Sequence, residues 1–145
     1  GGMTVEGEIG NYHELLSNRV DNQGGTANSA HRHFTLYATG KLTLKYLKLT
    51  WGEAGNGDGG FIYVGNVGSE LVINNIHFYG YATSGEYHAG NGGAIYNAGG
   101  IVTIKDSTFE GFDAEIGGAI YNSKNTMTIE STTFKNNFAS VSFSV

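Results

Sequence analysis

From Phe34 onward, apolar and polar positions alternate along this chain in a frame that recurs. The frame is an apolar-x-apolar triplet with another large apolar residue five positions after its last member. It reads Leu42, Leu44 and Leu49, then Leu71, Ile73 and Phe78, then Val102, Ile104 and Phe109, then Met127, Ile129 and Phe134. A period of two marks half-buried strands. KLTLK is therefore expected to bury Leu42 and Leu44 and to turn Lys41, Thr43 and Lys45 outward.

The last two copies are near-duplicates. GGAIYNAGGIVTIKDSTFEGFDA over 92–114 is answered by GGAIYNSKNTMTIESTTFKNNFA over 117–139, 25 positions later throughout. GGFIYV at 59–64 with LVINNIHFYGYA at 71–82 is a weaker copy, and FTLYATGKLTLKYLKLTW at 34–51 is the most degenerate. Spacing inside the frame is constant, but between frames it changes: 29 from Leu44 to Ile73, 31 from Ile73 to Ile104, 25 from Ile104 to Ile129. Such self-similarity is the mark of a solenoid, and variable connections are loops expelled from the coil, as SGEYHAGN at 84–91 is. The expectation is an all-β solenoid of about four coils.

In-register stacking predicts three interior columns: Ile62/Ile95/Ile120, Leu44/Ile73/Ile104/Ile129 and Leu49/Phe78/Phe109/Phe134. Outside, it lays Lys105 on Glu130 and Glu110 on Lys135. A one-residue slip would break both pairs and evert the core.

No copy of the frame is read before residue 34. EIGNYHELLSNRV at 8–20 spaces Ile9, Tyr12, Leu15, Leu16 and Val20 as one face of a helix, which predicts a short helical cap over the end of the coil. Residues 1–33 are thus expected to form a cap and lead-in and 34–145 the repeats, within one domain. In SVSFSV at 140–145, Val141, Phe143 and Val145 alternate with serine where the next GGAIY would begin. Either the coil continues in a longer chain, or this strand meets another molecule and serves self-association, because a flat apolar end is an aggregation site unless covered.

Composition narrows the class. There are 24 glycines and no proline, as suits stacked coils with left-handed corners and few places for a residue lacking an N–H. A net charge of −5 gives a nucleic-acid partner no electrostatic support, and the nearest thing to a basic cluster is Lys41, Lys45 and Lys48. With no cysteine there is no disulfide framework or thiolate metal site. No apolar run reaches the ~18 residues a spanning helix needs, so no membrane span is expected in this chain.

GGAIYN at 92 and 117, TIKDSTFEG and TIESTTFKNN after them, and LTLKYLKLTWG before them resemble the repeats of bacterial polymorphic outer-membrane proteins and related surface adhesins. Those repeats pair a GGA-(Ile/Leu/Val) motif with a later Phe-x-x-Asn. Gly117 to Ile120 with Phe134 to Asn137 match both halves; Phe112 stands where the third copy should carry Asn, and Phe61 where the second should carry alanine. The resemblance implies a right-handed parallel β-helix in a surface-exposed or secreted module, often an adhesive or structural stalk.

Candidate chemistry is sparse. A polysaccharide lyase or hydrolase on such a scaffold needs converging carboxylates, or carboxylates holding Ca²⁺ beside a base. Asp106, Glu110, Asp113, Glu115 and Glu130 are the acidic residues available, yet Asp106 stacks on Ser131 and Glu130 on Lys105. Glu53, Asn56 and Asp58 in GEAGNGDGG offer oxygen ligands for Ca²⁺ in a glycine-rich loop that departs from the D-x-[DN]-x-[DN]-G pattern. His31 and His33 lack a third metal ligand, and His77 and His88 lack a spacing partner. Tyr63, Tyr96 and Tyr121 share a column, with Asn97 over Asn122, which suits either a platform for sugars or simple coil stabilisation. The function expected is a non-enzymatic structural or adhesive module at a cell surface or outside the cell. Its partners would be further copies, neighbouring surface proteins or glycans, through Val141, Phe143, Val145 and the tyrosine column. The alternative is a polysaccharide-binding or polysaccharide-cleaving β-helix.

Overall fold

A computed structural model describes residues 2–7, 13–16, 32–37, 39–50, 52, 54, 57–80 and 89–140. These form strands and turns, with no helix among the described residues. The strands are β1 (Gly2–Glu6), β2 (His13–Leu16), β3 (Phe34–Leu36), β4 (Lys41–Thr50), β5 (Ile62–Val64), β6 (Glu70–Tyr79), β7 (Ala89–Asn91), β8 (Ile95–Asn97), β9 (Ile101–Lys105), β10 (Thr108–Glu110), β11 (Asp113–Ile116), β12 (Ile120–Asn122), β13 (Met127–Glu130), β14 (Thr133–Lys135) and β15 (Phe138–Ala139).

Every strand pairing recorded is parallel. The largest sheet runs β1-β4-β6-β10-β14, with β2 on β4, β9 on β6 and β13 on β9. The second runs β3-β5-β8-β12 and the third β7-β11-β15. The chain visits the sheets in rotation and returns one strand higher, which is a parallel β-solenoid. It makes about three turns rather than four, because four copies of a strand (β3, β5, β8 and β12) enclose only three closed intervals.

Register follows the expected columns. Ile62 pairs with Ile95 and Ile95 with Ile120; Leu44, Ile73, Ile104 and Ile129 lie in line, as do Leu49, Phe78, Phe109 and Phe134. The phenylalanines stack face to face, Phe78 on Phe109 at 4.4 Å and Phe109 on Phe134 at 5.1 Å between centroids. Leu44, Leu49, Ile73, Phe78, Ile104 and Phe109 are completely buried. Each such side chain contributes roughly 1.5–3 kcal/mol by leaving water.

One feature of the frame needs a backbone explanation. A spacing of five would put Leu44 and Leu49 on opposite faces of a straight strand. The structure inserts a left-handed residue two positions after each triplet: Tyr46 (φ 52), Asn75 (φ 52), Asp106 (φ 48) and Ser131 (φ 48). Each flips the alternation once and folds the wall inward. A further interior column appears in between, Leu47 on Ile76, continued by Ser107 and Thr132. Ser107 is buried; its Oγ accepts from the Ile76 N–H at 3.1 Å and donates to the Lys105 carbonyl at 2.7 Å, so the hydroxyl is satisfied at the corner.

The GGA motif is corner chemistry. Gly92 takes φ +65, where a side chain is strained, and a Cβ on Gly93 would sit 2.5 Å from the Gly118 carbonyl oxygen of the next turn. Phe-x-x-Asn has a mechanical reading too. Asn137 reaches to the turn beneath, where its Oδ1 accepts from the Phe112 N–H at 3.0 Å and its Nδ2 donates to the Phe109 carbonyl at 2.9 Å. In the turn below, Phe112 fills the Asn position and packs edge-on against Phe61 at 5.0 Å, trading a backbone clamp for core volume.

The N-terminal helix is corrected where the structure describes it. His13–Leu16 is a strand, in register with Leu47 to Thr50, and Gly2–Glu6 pairs with Lys41 to Lys45. These strands add a partial turn where no copy was expected. A helix of 13 residues is marginal alone, whereas the open edge of β4 offers a row of backbone partners. Residues 8–12 and 17–20 of the proposed helix lie outside the described residues.

Candidate functional site

The outward columns are built by the same register. Lys105 Nζ lies 2.7 Å from Glu130, and Lys135 Nζ lies 2.8 Å from Glu110. Hydrogen bonds across these pairs hold the Lys105 and Lys135 ammonium groups above the usual lysine range and the Glu110 carboxyl below the usual carboxylate range. His77 Nε2 approaches Glu110 from the turn below at 3.7 Å. Lys41, Lys45 and Lys48, the apparent basic cluster, face Glu70 at 2.8 Å, Glu6 at 3.9 Å and Glu14 at 3.2 Å. Two of those glutamates lie in β1 and β2, which sequence reasoning left unpaired.

The candidate acid–base residues are not brought together. Glu110 and Glu130 each face a lysine, and Asp106 occupies an exposed left-handed corner. Glu115 is exposed and Asp113 half-buried on β11, on a different sheet. Of the proposed Ca²⁺ ligands, Glu53 and Asn56 lie outside the described residues. Asp58 is described, and its Oδ1 accepts two hydrogen bonds at 2.8 Å from Asn91, one from the backbone N–H and one from Nδ2. That carboxylate ties one corner to the next. His31 and His88 lie outside the described residues, and His33 is a part of the wall: its Nε2 bonds to the Thr50 carbonyl at 2.9 Å and its ring meets Phe61 edge-on at 5.1 Å.

Tyr63, Tyr96 and Tyr121 do share a column on β5, β8 and β12. Their rings are near-parallel, 5.3 Å and 5.5 Å apart, and all three are half-buried. Arg32 lies 5.4 Å from the Tyr63 ring centre while donating to the Asp58 and Gly59 carbonyls, and Tyr37 leans on Tyr63 at 5.8 Å. Ring faces are turned towards neighbours in the column. Burial, with Asp58 nearby, pushes the Tyr96 hydroxyl above its usual range. Beside this column, buried Asn97 donates to the Gly100 carbonyl at 2.9 Å and to Asn122 Oδ1 at 2.7 Å and accepts from the Gly100 N–H.

Apolar side chains and strand edges are exposed together at the end of the tube formed by the last described turn. Ile129, Phe134 and Phe138 are exposed there, and β12, β13, β14 and β15 have a described strand neighbour on one side only. These strands frame an open depression of about 470 Å³ lined by Ile120, Met127, Ile129, Phe134 and Phe138. Val141, Phe143 and Val145, expected to lie here, fall outside the described residues. At the opposite end a second depression, of about 380 Å³, is lined by Met3, Phe34, Leu36, Tyr37 and Leu42.

Compared with known proteins, the chain matches no family model, no curated protein and no solved structure.

Proposed function

We propose that this chain is a non-enzymatic structural or adhesive module of the polymorphic outer-membrane repeat type, acting at a cell surface or outside the cell. It works by presenting a rigid, ribbed face and by packing end to end or side to side with neighbours. One observation carries the reading: in the last described turn the strands have a described neighbour on one side only, and Ile129, Phe134 and Phe138 are exposed. Exposed edges beside apolar surface are templates for another chain. The motif GGAI with Phe-x-x-Asn supports the family, and the corner roles of Gly92, Gly93 and Asn137 explain why a stacking repeat would carry it.

Removing residues 140–145, with Val141, Phe143 and Val145, is expected to abolish self-association in sedimentation velocity. Unchanged oligomers would reject end packing through that segment. A second reading, polysaccharide binding, draws on the half-buried tyrosine column, whose stacked rings lie 5.3–5.5 Å apart between centroids. A glycan array that stays blank removes it.

A further inference from the structure

We infer that the tyrosine column is a binding site for an unbranched, uncharged, β-1,4-linked glycan, which lies along the tube axis with one sugar over each strand. The inference rests on the polysaccharide-binding reading above and names the linkage and charge of the ligand, which that reading leaves open. The site does not depend on the last turn. In the sheet β3-β5-β8-β12, Tyr63 and Tyr96 stand on β5 and β8, which have described strands on both sides.

Every strand of this sheet carries a hydroxyl at the same position of the ladder, because Thr35, Tyr63, Tyr96 and Tyr121 are in register. On β5 and β8 the residues flanking the tyrosine, Ile62 and Val64 or Ile95 and Asn97, are buried while the tyrosine keeps exposed surface. Thr35 is exposed. The ladder itself holds no charge, unlike the column of Glu6, Lys45, Asn74, Lys105 and Glu130 on the largest sheet. The ions at its side are engaged: Arg32 donates to the Asp58 and Gly59 carbonyls, and the Asp58 carboxylate accepts from Asn91. The ladder thus offers a ligand hydrogen bonds rather than ion pairs, and a net charge of −5 disfavours a polyanion.

The linkage follows from the repeat. Ring centroids are 5.3 Å and 5.5 Å apart along the column. An extended β-1,4-linked chain advances by nearly this distance per sugar, so successive sugars stay in step with successive strands. An α-1,4-linked chain coils and falls out of step. Neighbouring sugars in the extended ribbon are flipped and present opposite edges. A phenol hydroxyl both donates and accepts, so one kind of group serves both edges.

The test titrates the full chain, by calorimetry, with β-1,4-linked oligomers of glucose and of N-acetylglucosamine. Affinity is expected to rise with length for at least one of the two series and to level off once the oligomer spans the four strands. α-1,4-linked glucose oligomers of the same lengths should bind about tenfold more weakly, because they keep only part of the hydrogen bonds. Tyr63→Phe and Tyr96→Phe each keep the ring and its stack while removing one hydroxyl, and each should weaken binding about fivefold. Equal affinity for the two linkages overturns the inference, and so do unchanged affinities in both phenylalanine variants. Failure of every β-1,4-linked oligomer to bind overturns it as well. In that last case a glycan array with signal on other glycans leaves polysaccharide binding standing, whereas a blank array removes both.

Discussion

The turn holding β8 to β10 and the turn holding β12 to β14 carry the same repeat motif, 25 positions apart, yet they live in different surroundings. Ile104 and Phe109 are 0% exposed; their counterparts Ile129 and Phe134 are 41% and 46% exposed. Asn97 is buried and Asn122 is exposed. The difference teaches that burial in a solenoid belongs to a turn's neighbours. An isoleucine in the wall is covered from above and below, and losing one neighbour uncovers half of it. The inner turn is enclosed by its neighbours, and the outer turn keeps apolar surface exposed.

The strongest way to break this comparison is to truncate the same ring in both turns. Phe109→Ala is expected to cost about 3–5 kcal/mol, because it empties a stack closed on both sides by Phe78 and Phe134. Phe134→Ala should cost well under half of that. Urea melts of the two variants measure the ratio, and equal losses would mean that the last turn is covered. A smaller contrast comes from the amides. Asn97→Ala leaves the Gly100 N–H and carbonyl without their side-chain partner inside the wall, at roughly 1–3 kcal/mol. Asn122→Ala acts at a wet edge and should fall below 1 kcal/mol, since water replaces what is lost.

The smallest effect tests the other end of the tube. Burial against Phe61 lowers the His33 pKa below its ordinary 6.5, partly offset by the bond to the Thr50 carbonyl. The unfolded chain therefore takes up this proton first as pH falls, so stability is full above 6.5 and is lost progressively below it. Melts across that range should show the slope in the parent chain and a flatter profile in His33→Leu. Identical slopes would place the histidine in water.

Where the frame repeats, the wall was legible: all three columns and both ion pairs follow from spacing, because parallel coils in register must lay position on position. The parity flip at Tyr46, Asn75, Asp106 and Ser131 was hidden, since a five-residue gap shows that something bends without showing which residue turns left-handed. The first partial turn was hidden for another reason. Met3 and Val5 match Leu42 and Leu44, but β2 begins further along than the frame allows, so the copy reads as noise. The candidate ligands fared least well. Asp58 carries a carboxylate in a glycine-rich loop, and only the fold brings Asn91 to it from 33 positions away.

By itself, then, the order of residues determined that the chain coils, which side chains face inward, and which charges meet between turns. These are consequences of period and register, properties a linear string can hold. Tertiary structure alone decided how many turns close, that the N-terminal segment joins the wall as strand, and that Ile129 and Phe134 stand open to solvent. Each of those depends on what lies above or below a strand, and the two last repeats, alike in motif and unlike in burial, show that a repeat carries no record of its neighbours.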